Sequence, residues 1–368
     1  MSTSASGTGS PTKTISDFEA SLEQADKAVA AFDESHQSLL QRARGFLREN
    51  PTAIPAIILI SSVLVFGFIA TFIVPNNFMT ANTLSLILKQ VTVVGIVAIA
   101  QTLVILTAGI DLSVGAMLVI CAMIMGRLTT LQDMPVAFAI PIALAFGTGM
   151  GAINGILVTK ARIPPFIVTL GTLYIFNALK LWYTGSESVR PAALTEKAPG
   201  LLWFGQAFNI GSANFIYGSF ALIALAVVVW YMLNRTAWGR HVTAVGDDPD
   251  AAMLSGVRLD RTLISVYALA GLICGFGAWV AIGRVGSMSP IAFETVNLDS
   301  ITAVVIGGTS LFGGRASIAG SVLGAIIVGV FFTGLALVGV ESYWQWFAMG
   351  CLVIGAVATD QWLRRAAQ

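Results

Sequence analysis

Long apolar stretches alternate with short polar ones along most of the chain, and their length predicts membrane-spanning helices. A helix rises 1.5 Å per residue, so roughly 20 mostly apolar residues cross a bilayer core of about 30 Å. Stretches of this kind lie at 53–74, 84–108, 112–130, 136–159, 164–184, 215–234, 262–283, 298–312, 316–338 and 343–362. The third and eighth are the weakest. Gly307-Gly308 and Gly313-Gly314 break the eighth, which predicts a discontinuous or incomplete crossing. Ahead of them runs a polar tail, rich in Ser, Thr and Gly to Thr14 and helix-prone after it, with Ile15, Phe18, Leu22, Ala25, Val29 and Phe32 at helical spacing. The tail is too polar for the apolar core of a signal peptide. The domain organisation that follows is a cytoplasmic tail over 1–52, a membrane domain over 53–363 and a short cytoplasmic end over 364–368. The expected fold class is all-α integral membrane, with about ten transmembrane helices. A division near residue 200 would give a five-plus-five inverted repeat, an arrangement common in transporters.

Composition removes the competing class. Hydrophobic residues make up 56% of the chain and charged residues 11%, whereas a soluble domain carries about a quarter charged to face water. Cys121, Cys274 and Cys351 all fall inside apolar stretches and read as small core hydrophobes, not a disulfide framework. With two histidines and no ligand spacing, no metal site is expected, and no basic patch interleaved with aromatics points to nucleic acid.

The placement of charge orients the chain. With the N-terminus in the cytoplasm, Lys89, Arg127, Lys180, Arg190, Lys197 and Arg284 fall outside, and the remaining 14 of the 20 Lys and Arg fall inside. That bias follows the positive-inside rule and favours an even number of crossings with both ends in the cytoplasm.

Intramembrane ionisable residues are costly and mark function by default. Lys89, Arg127, Lys180 and Arg284 lie near span ends, where long side chains snorkel. Asp111 and Asp299 each precede a span. Either could accept from free helix N–H groups, and either could face a solute pathway. Uncharged polar residues suit a neutral hydroxyl-rich solute, and Gln101, Asn154, Thr169, Thr172, Asn177 and Thr302, with Asn297 beside Asp299, are the candidates. Each also suits interhelical hydrogen bonding. Phe166 and Tyr174 could stack on a sugar ring or face lipid. Gly147, Gly149, Gly151 and Gly155 share one span and Gly320, Gly324 and Gly329 another, as close helix packing requires.

What is missing narrows the energy source. No carboxylate or histidine falls convincingly in mid-span, as an ion-coupled carrier would need. Gly307-Gly-Thr-Ser-Leu-Phe-Gly-Gly314 lacks the Lys-Ser/Thr of a phosphate loop, so the chain is not expected to hydrolyse ATP. Two polar segments interrupt the pattern, an outer loop over 185–214 and an inner loop over 235–261. In the inner loop Asp247 or Asp248 would cap a short helix with Pro249 in its first turn, Ala251, Ala252, Met253 and Leu254 continuing it and Gly256 ending it. Such a helix is either a surface for a partner groove or a solvated connector.

Four motifs then carry a resemblance. They are Leu106-Thr-Ala-Gly-Ile-Asp-Leu-Ser-Val-Gly115, Pro164-Pro-Phe-Ile-Val-Thr-Leu-Gly171, Gly239-Arg-His-Val-Thr-Ala-Val-Gly246 with Ala251-Ala-Met-Leu-Ser-Gly256, and Ala303-Val-Val-Ile-Gly-Gly-Thr-Ser-Leu-Phe-Gly-Gly-Arg315. Together they resemble the permeases of bacterial monosaccharide ABC importers over about residues 55–362. The fructose type is nearest, through Leu233-Asn-Arg-Thr-Ala-Trp-Gly-Arg240, Val245-Gly-Asp-Asp-Pro249 and Asp360-Gln-Trp362. The resemblance implies a type II-importer-like fold in the bacterial inner membrane and a homodimer with the path between subunits. It also implies a periplasmic sugar-binding protein outside and an ABC ATPase with two nucleotide-binding domains inside, which uses ATP and Mg while this chain binds no cofactor. Arg240, Gly246, Asp247, Asp248, Ala251, Ala252, Ser255 and Gly256 would form the ATPase-coupling loop. The long tail and His241, where many relatives carry an aromatic residue, depart from the family pattern. An ion-coupled secondary sugar carrier is the alternative function.

Overall fold

The computed structural model describes residues 52–73 and 78–365. The amphipathic helix expected over 15–32 lies outside the described residues. Thirteen α-helices are described: α1 Ala53–Phe68, α2 Ala81–Leu106, α3 Val114–Thr130, α4 Val136–Lys160, α5 Pro165–Thr184, α6 Pro191–Lys197, α7 Tyr217–Arg235, α8 Ala237–Asp247, α9 Pro249–Leu254, α10 Leu259–Val285, α11 Val296–Ile306, α12 Ile318–Leu337 and α13 Ser342–Arg365. Among the described residues seven helices are long and apolar enough to span a bilayer, namely α1, α2, α4, α5, α7, α10 and α12. The protein is a multi-pass membrane protein.

The third and eighth apolar stretches correspond to α3 and α11, of 17 and 11 residues. At 1.5 Å per residue α11 is about 17 Å long, too short to cross a core of about 30 Å by itself. Ten apolar stretches therefore do not become ten full-length crossings. The segments that precede these two short helices, 107–113 and 286–295, are where the helical pattern breaks. Each contains a non-glycine residue with left-handed backbone, Ala108 at φ 57° and Phe293 at φ 56°, a conformation few side chains adopt.

The packing repeats itself between the two halves. α10 lies against α4 and α3, and α3 against α4; correspondingly α2 lies against α12 and α11, and α11 against α12. Exchanging α2 with α10, α3 with α11 and α4 with α12 maps one set of contacts onto the other, which is the pattern an inverted repeat would leave. α2 and α10 also pack on each other and are buried over much of their length. α1, α4, α5 and α7 keep large apolar side chains outward, among them Leu64, Phe146, Trp182 and Tyr231. Lipid covers such surfaces at no cost, because its chains are as apolar as the side chains.

Small residues set the closest approach. A Cβ placed on Gly151 would lie 2.1 Å from the Tyr267 carbonyl oxygen, and one on Gly147 2.5 Å from that of Gly271, so α4 and α10 touch backbone to backbone. Gly149 has open space and Gly329 meets only side chains. The small-residue run on α4 is therefore a contact face of selected positions.

Both polar loops are more structured than a loop reading expects. The 185–214 segment holds α6, a 3-10 turn over Pro199–Gly205 and the antiparallel hairpin β1 Ala207–Ile210 and β2 Ala213–Ile216. Leu194, Ala198, Leu201 and Phe204 are buried beneath it, and Trp203 stacks on Tyr217 with centroids 5.2 Å apart. Leu194, Ala198 and Leu201 recur at helical spacing, but Pro199 and Gly200 interrupt the run, so it does not read as one element. The other loop contains two helices, not one. α8 buries Gly239, Val242, Val245 and Gly246 along one stripe and exposes Arg240, His241 and Asp247 opposite, the spacing of a helix lying on an apolar surface. Thr236 begins it by accepting from the Gly239 N–H at 3.2 Å.

Candidate functional site

The most polar part of the interior surrounds the 107–113 break. Between Leu106, where α2 ends, and Val114, where α3 starts, the chain leaves helical geometry, so several backbone groups lose helical partners inside an apolar bundle. Each unpaired group there would cost free energy. Three successive carbonyls are instead capped by side chains of three different helices. Thr169 Oγ1 of α5 donates to the Ile110 oxygen at 2.9 Å, Gln101 Nε2 of α2 to the Asp111 oxygen at 2.8 Å, and Asn297 Nδ2 of α11 to the Leu112 oxygen at 3.2 Å.

The Asp111 side chain completes the cluster. Its Oδ1 accepts from the Ser113 N–H at 2.8 Å and from Ser113 Oγ at 2.6 Å. Asn154 Nδ2 of α4 donates to Ser113 Oγ at 2.8 Å and reaches Asp111 Oδ2 at 3.5 Å. Gln101, Asp111, Ser113, Asn154 and Thr169 have no solvent exposure. Asp111 is wholly interior although it lies between two apolar stretches, because the break sits among the helices. Ser113 holds the position that flanks α3 without capping it through its own side chain; Asp111, two residues earlier, takes the amide.

Five pathway candidates, Gln101, Asp111, Asn154, Thr169 and Asn297, thus meet at one place. Four others do not join them. Thr172 is buried on α5 and donates only to the Thr169 oxygen of its own helix, at 3.4 Å. Asn177 is half-buried on α5 and accepts from Lys180 Nζ at 2.7 Å. Asp299 accepts from Thr295 Oγ1 at 3.0 Å in the first turn of α11, and Thr302 is half-buried further along it. Phe166 and Tyr174 point outward, with 49% and 70% of their surface exposed. Lys180 does not snorkel: it is buried against Asn177. Arg284 Nη1 donates to the Gln90 oxygen at 2.9 Å, and its guanidinium lies 5.5 Å from the Phe293 ring centre.

The second candidate site is the short helix α9. Asp248, not Asp247, caps it, its Oδ1 accepting from the Asp250 and Ala251 N–H groups at 3.0 Å each. Pro249 takes the first turn, where its missing N–H costs nothing. Arg240, Asp247, Asp248, Ala251, Ser255 and Gly256 are exposed, whereas Gly246 and Ala252 are buried. Ala252 faces the protein body and is no contact point. The apolar surface that α9 does present is Met253, 54% exposed, and Leu254, 87% exposed. Sequence reading placed both in the helix without singling them out; their direction depends on which face of a six-residue helix is turned inward.

Comparison with known proteins bears on both regions. The family model described as the branched-chain amino acid transport system / permease component matches residues 83–357, which spans the buried cluster and α9. The chain belongs to this permease family. It is 50% identical over 351 residues to the fructose import permease protein FrcC of Rhizobium meliloti, covering 95% of this chain and 96% of that protein. The ribose import permease protein RbsC of Escherichia coli K12 is 35% identical over 86% of this chain and 95% of its own length. The galactose/methyl galactoside import permease protein MglC of the same strain is 36% identical over 77% of this chain and 88% of its own. No solved structure matches the chain significantly. In this permease, then, the 107–113 cluster and α9 are parts of a transport subunit.

Proposed function

We propose that this chain is the membrane-embedded, non-catalytic permease subunit of a binding-protein-dependent ABC importer for a monosaccharide, with fructose first among the hexoses and pentoses. The relatives named for fructose, ribose and galactose import support the sugar class. The observation that carries the ATP-driven reading is α9: a capped short helix fastened to the bundle by Ala252 and Gly246, presenting Met253 and Leu254 outward among Asp247, Asp248 and Asp250. An exposed leucine on a polar end of a membrane protein suits a groove on a partner. In this reading α8 and α9 face the cytoplasm of a bacterial inner membrane and the β1–β2 hairpin faces the periplasm. An ABC ATPase hydrolysing ATP with Mg docks on α9, and a periplasmic sugar-binding protein delivers to the opposite face of a homodimer. For ATP to drive transport, the docked ATPase must interact differently with two states of the permease.

The test is reconstitution in proteoliposomes with the ATPase and the binding protein. ATP-dependent sugar uptake is expected, and Leu254→Asp is expected to abolish it while leaving membrane insertion and folding unchanged. Normal sugar-stimulated ATP turnover by that variant would overturn the docking role. One observation favours a second reading, an ion-coupled secondary sugar carrier: Asp111 is a buried carboxylate of the kind such carriers use. Uptake without nucleotide that an ionophore collapses would establish that reading in place of the first.

A further inference from the structure

Three chain segments remote in sequence meet beside α9 with their backbones in contact. A Cβ built on Gly246, the penultimate residue of α8, would lie 1.8 Å from the Leu106 oxygen and 2.9 Å from the Gly314 nitrogen. One on Gly313 would lie 2.4 Å from the Gly246 oxygen and 3.1 Å from the Ala108 Cβ, and one on Gly314 3.0 Å from the Asp247 Cα. The Gly314 N–H donates to the Leu106 oxygen at 3.0 Å, supplying the last turn of α2 with the partner that the chain break removes. Gly313 and Gly314 both have left-handed backbone, with φ of 84° and 72°, which glycine adopts without steric penalty. Shape and conformation both require glycine here.

We propose that Gly246, Gly313 and Gly314 weld the end of α8, which leads through Asp248 directly into α9, to the end of α2 and to the 307–317 turn, so that the three move as one body when the ATPase pushes on α9. This rests on the importer reading and extends it, since it says where the push goes. From Leu106 the chain enters the 107–113 break, whose carbonyls Thr169, Gln101 and Asn297 hold. From Gly314 it returns through Ser317 into α12. Displacing α9 therefore displaces the starts of α3 and α12 directly, through backbone contacts that do not compress, because packed interiors resist small volume changes. A side chain at the weld would give a softer link, with rotamers able to absorb the movement.

The experiment places spin labels on His241→Cys of α8 and on Phe312→Cys, both exposed positions outside the docking surface, with Cys351, the exposed free cysteine, replaced by serine. Distances are measured in the full reconstituted complex with and without ATP. The weld requires the 241–312 distance to stay the same across the cycle. Gly246→Ala must separate the segments to fit its methyl group. That variant is expected to retain ATPase docking, to show a 241–312 distance that changes with ATP, and to lose coupled uptake by roughly tenfold or more, within the usual span of coupling between sites. A 241–312 distance that changes with ATP in the parent protein overturns the weld, as does Gly246→Ala with unchanged distances and normal coupled uptake. If Gly246→Ala does not fold, the parent distances alone decide. Absence of ATP-dependent uptake by the unsubstituted complex would instead sink the importer reading, and the two failures are distinguishable.

Discussion

The two breaks that precede short helices, 107–113 before α3 and 286–295 before α11, occupy matching places in the two halves and are held in opposite ways. At the first, three carbonyls are capped by side chains from α2, α5 and α11, and the Asp111 carboxylate is held by Ser113, which Asn154 of α4 holds in turn; the side-chain oxygens of Gln101, Asn154 and Asn297 are themselves buried without a hydrogen-bond partner. The second leans on its own backbone and on the polar cap. Met288 pairs with Val189 across an isolated bridge, Ala292 and Val296 bond back to Ser289 and Phe293, and Ile291 and Glu294 are exposed. Arg284 steadies Phe293 from beside it, while its own Nε is buried without a hydrogen-bond partner. A break tied to four helices cannot shift without all of them, whereas one tied to a surface cap can. The first break is thus built to move only together with those helices, and the second to move by itself.

The comparison can be broken most decisively at Asp111. Asp111→Ala strands the Ser113 amide and hydroxyl together, each a buried group whose orphaning costs about 1–3 kcal/mol. A loss of folded protein in membranes or a large fall in melting temperature in detergent is the expected result. Unchanged stability would mean the cluster is not framework. Next come the single clamps: Gln101→Leu, Thr169→Val or Asn297→Leu each leave one carbonyl unpaired and should cost about 1 kcal/mol apiece, near the low end for a buried orphan. Because all three grip adjacent residues of one segment, pairs of these substitutions should be non-additive in a double-mutant cycle.

At the second break the effect on stability should be smaller and the effect on transport larger. Arg284→Met forfeits a contact to the Phe293 ring worth about 0.5–1 kcal/mol and the hydrogen bond from Nη1 to the Gln90 oxygen, and it relieves the unpaired Nε, so its melting temperature should fall less than that of Asp111→Ala. Uptake kinetics should change if 286–295 moves; an Arg284→Met protein with unaltered kinetics and a large stability loss would reverse the assignment of the two breaks. The smallest effect is expected at the polar cap. Lys197 pairs with Asp133 at 2.8 Å, and the hydrogen bond and charge of that carboxylate hold its ammonium above the ordinary lysine range. A raised value contributes stability below the lysine's ordinary value and loses it as pH rises through the folded value. The pair is solvent-screened, so Lys197→Met should leave thermal stability at neutral pH unchanged in a melting experiment.

Much of this molecule was legible before its coordinates. Apolar stretches of helical length gave the membrane spans, because lipid forces every spanning segment to satisfy its backbone internally and to be apolar outward. The break at Gly307-Gly308 was visible for the same reason, and the Asp-Asp-Pro sequence marked the start of α9 through capping chemistry that acts over three residues. What failed was anything set by direction. Ala252 looked like a contact residue and is buried, Leu254 was passed over and is the most exposed apolar residue there. Lys180, read as snorkelling, turns inward to Asn177.

The sequence by itself determined the class of solvent, the order of the long apolar helices, and which residues were polar enough to need partners. Local pattern suffices for these, since each depends on a run of neighbouring residues. Only the tertiary structure decided that Gln101, Asn154, Thr169 and Asn297 converge on Asp111 and its neighbours, and that Gly246 rests on Leu106 and Gly314. Those contacts join residues up to about two hundred positions apart, and a polar side chain in an apolar helix looks the same whether it lines a pathway or caps a broken strand of backbone. Which of the two it does depends on where the other helices place an unpaired carbonyl.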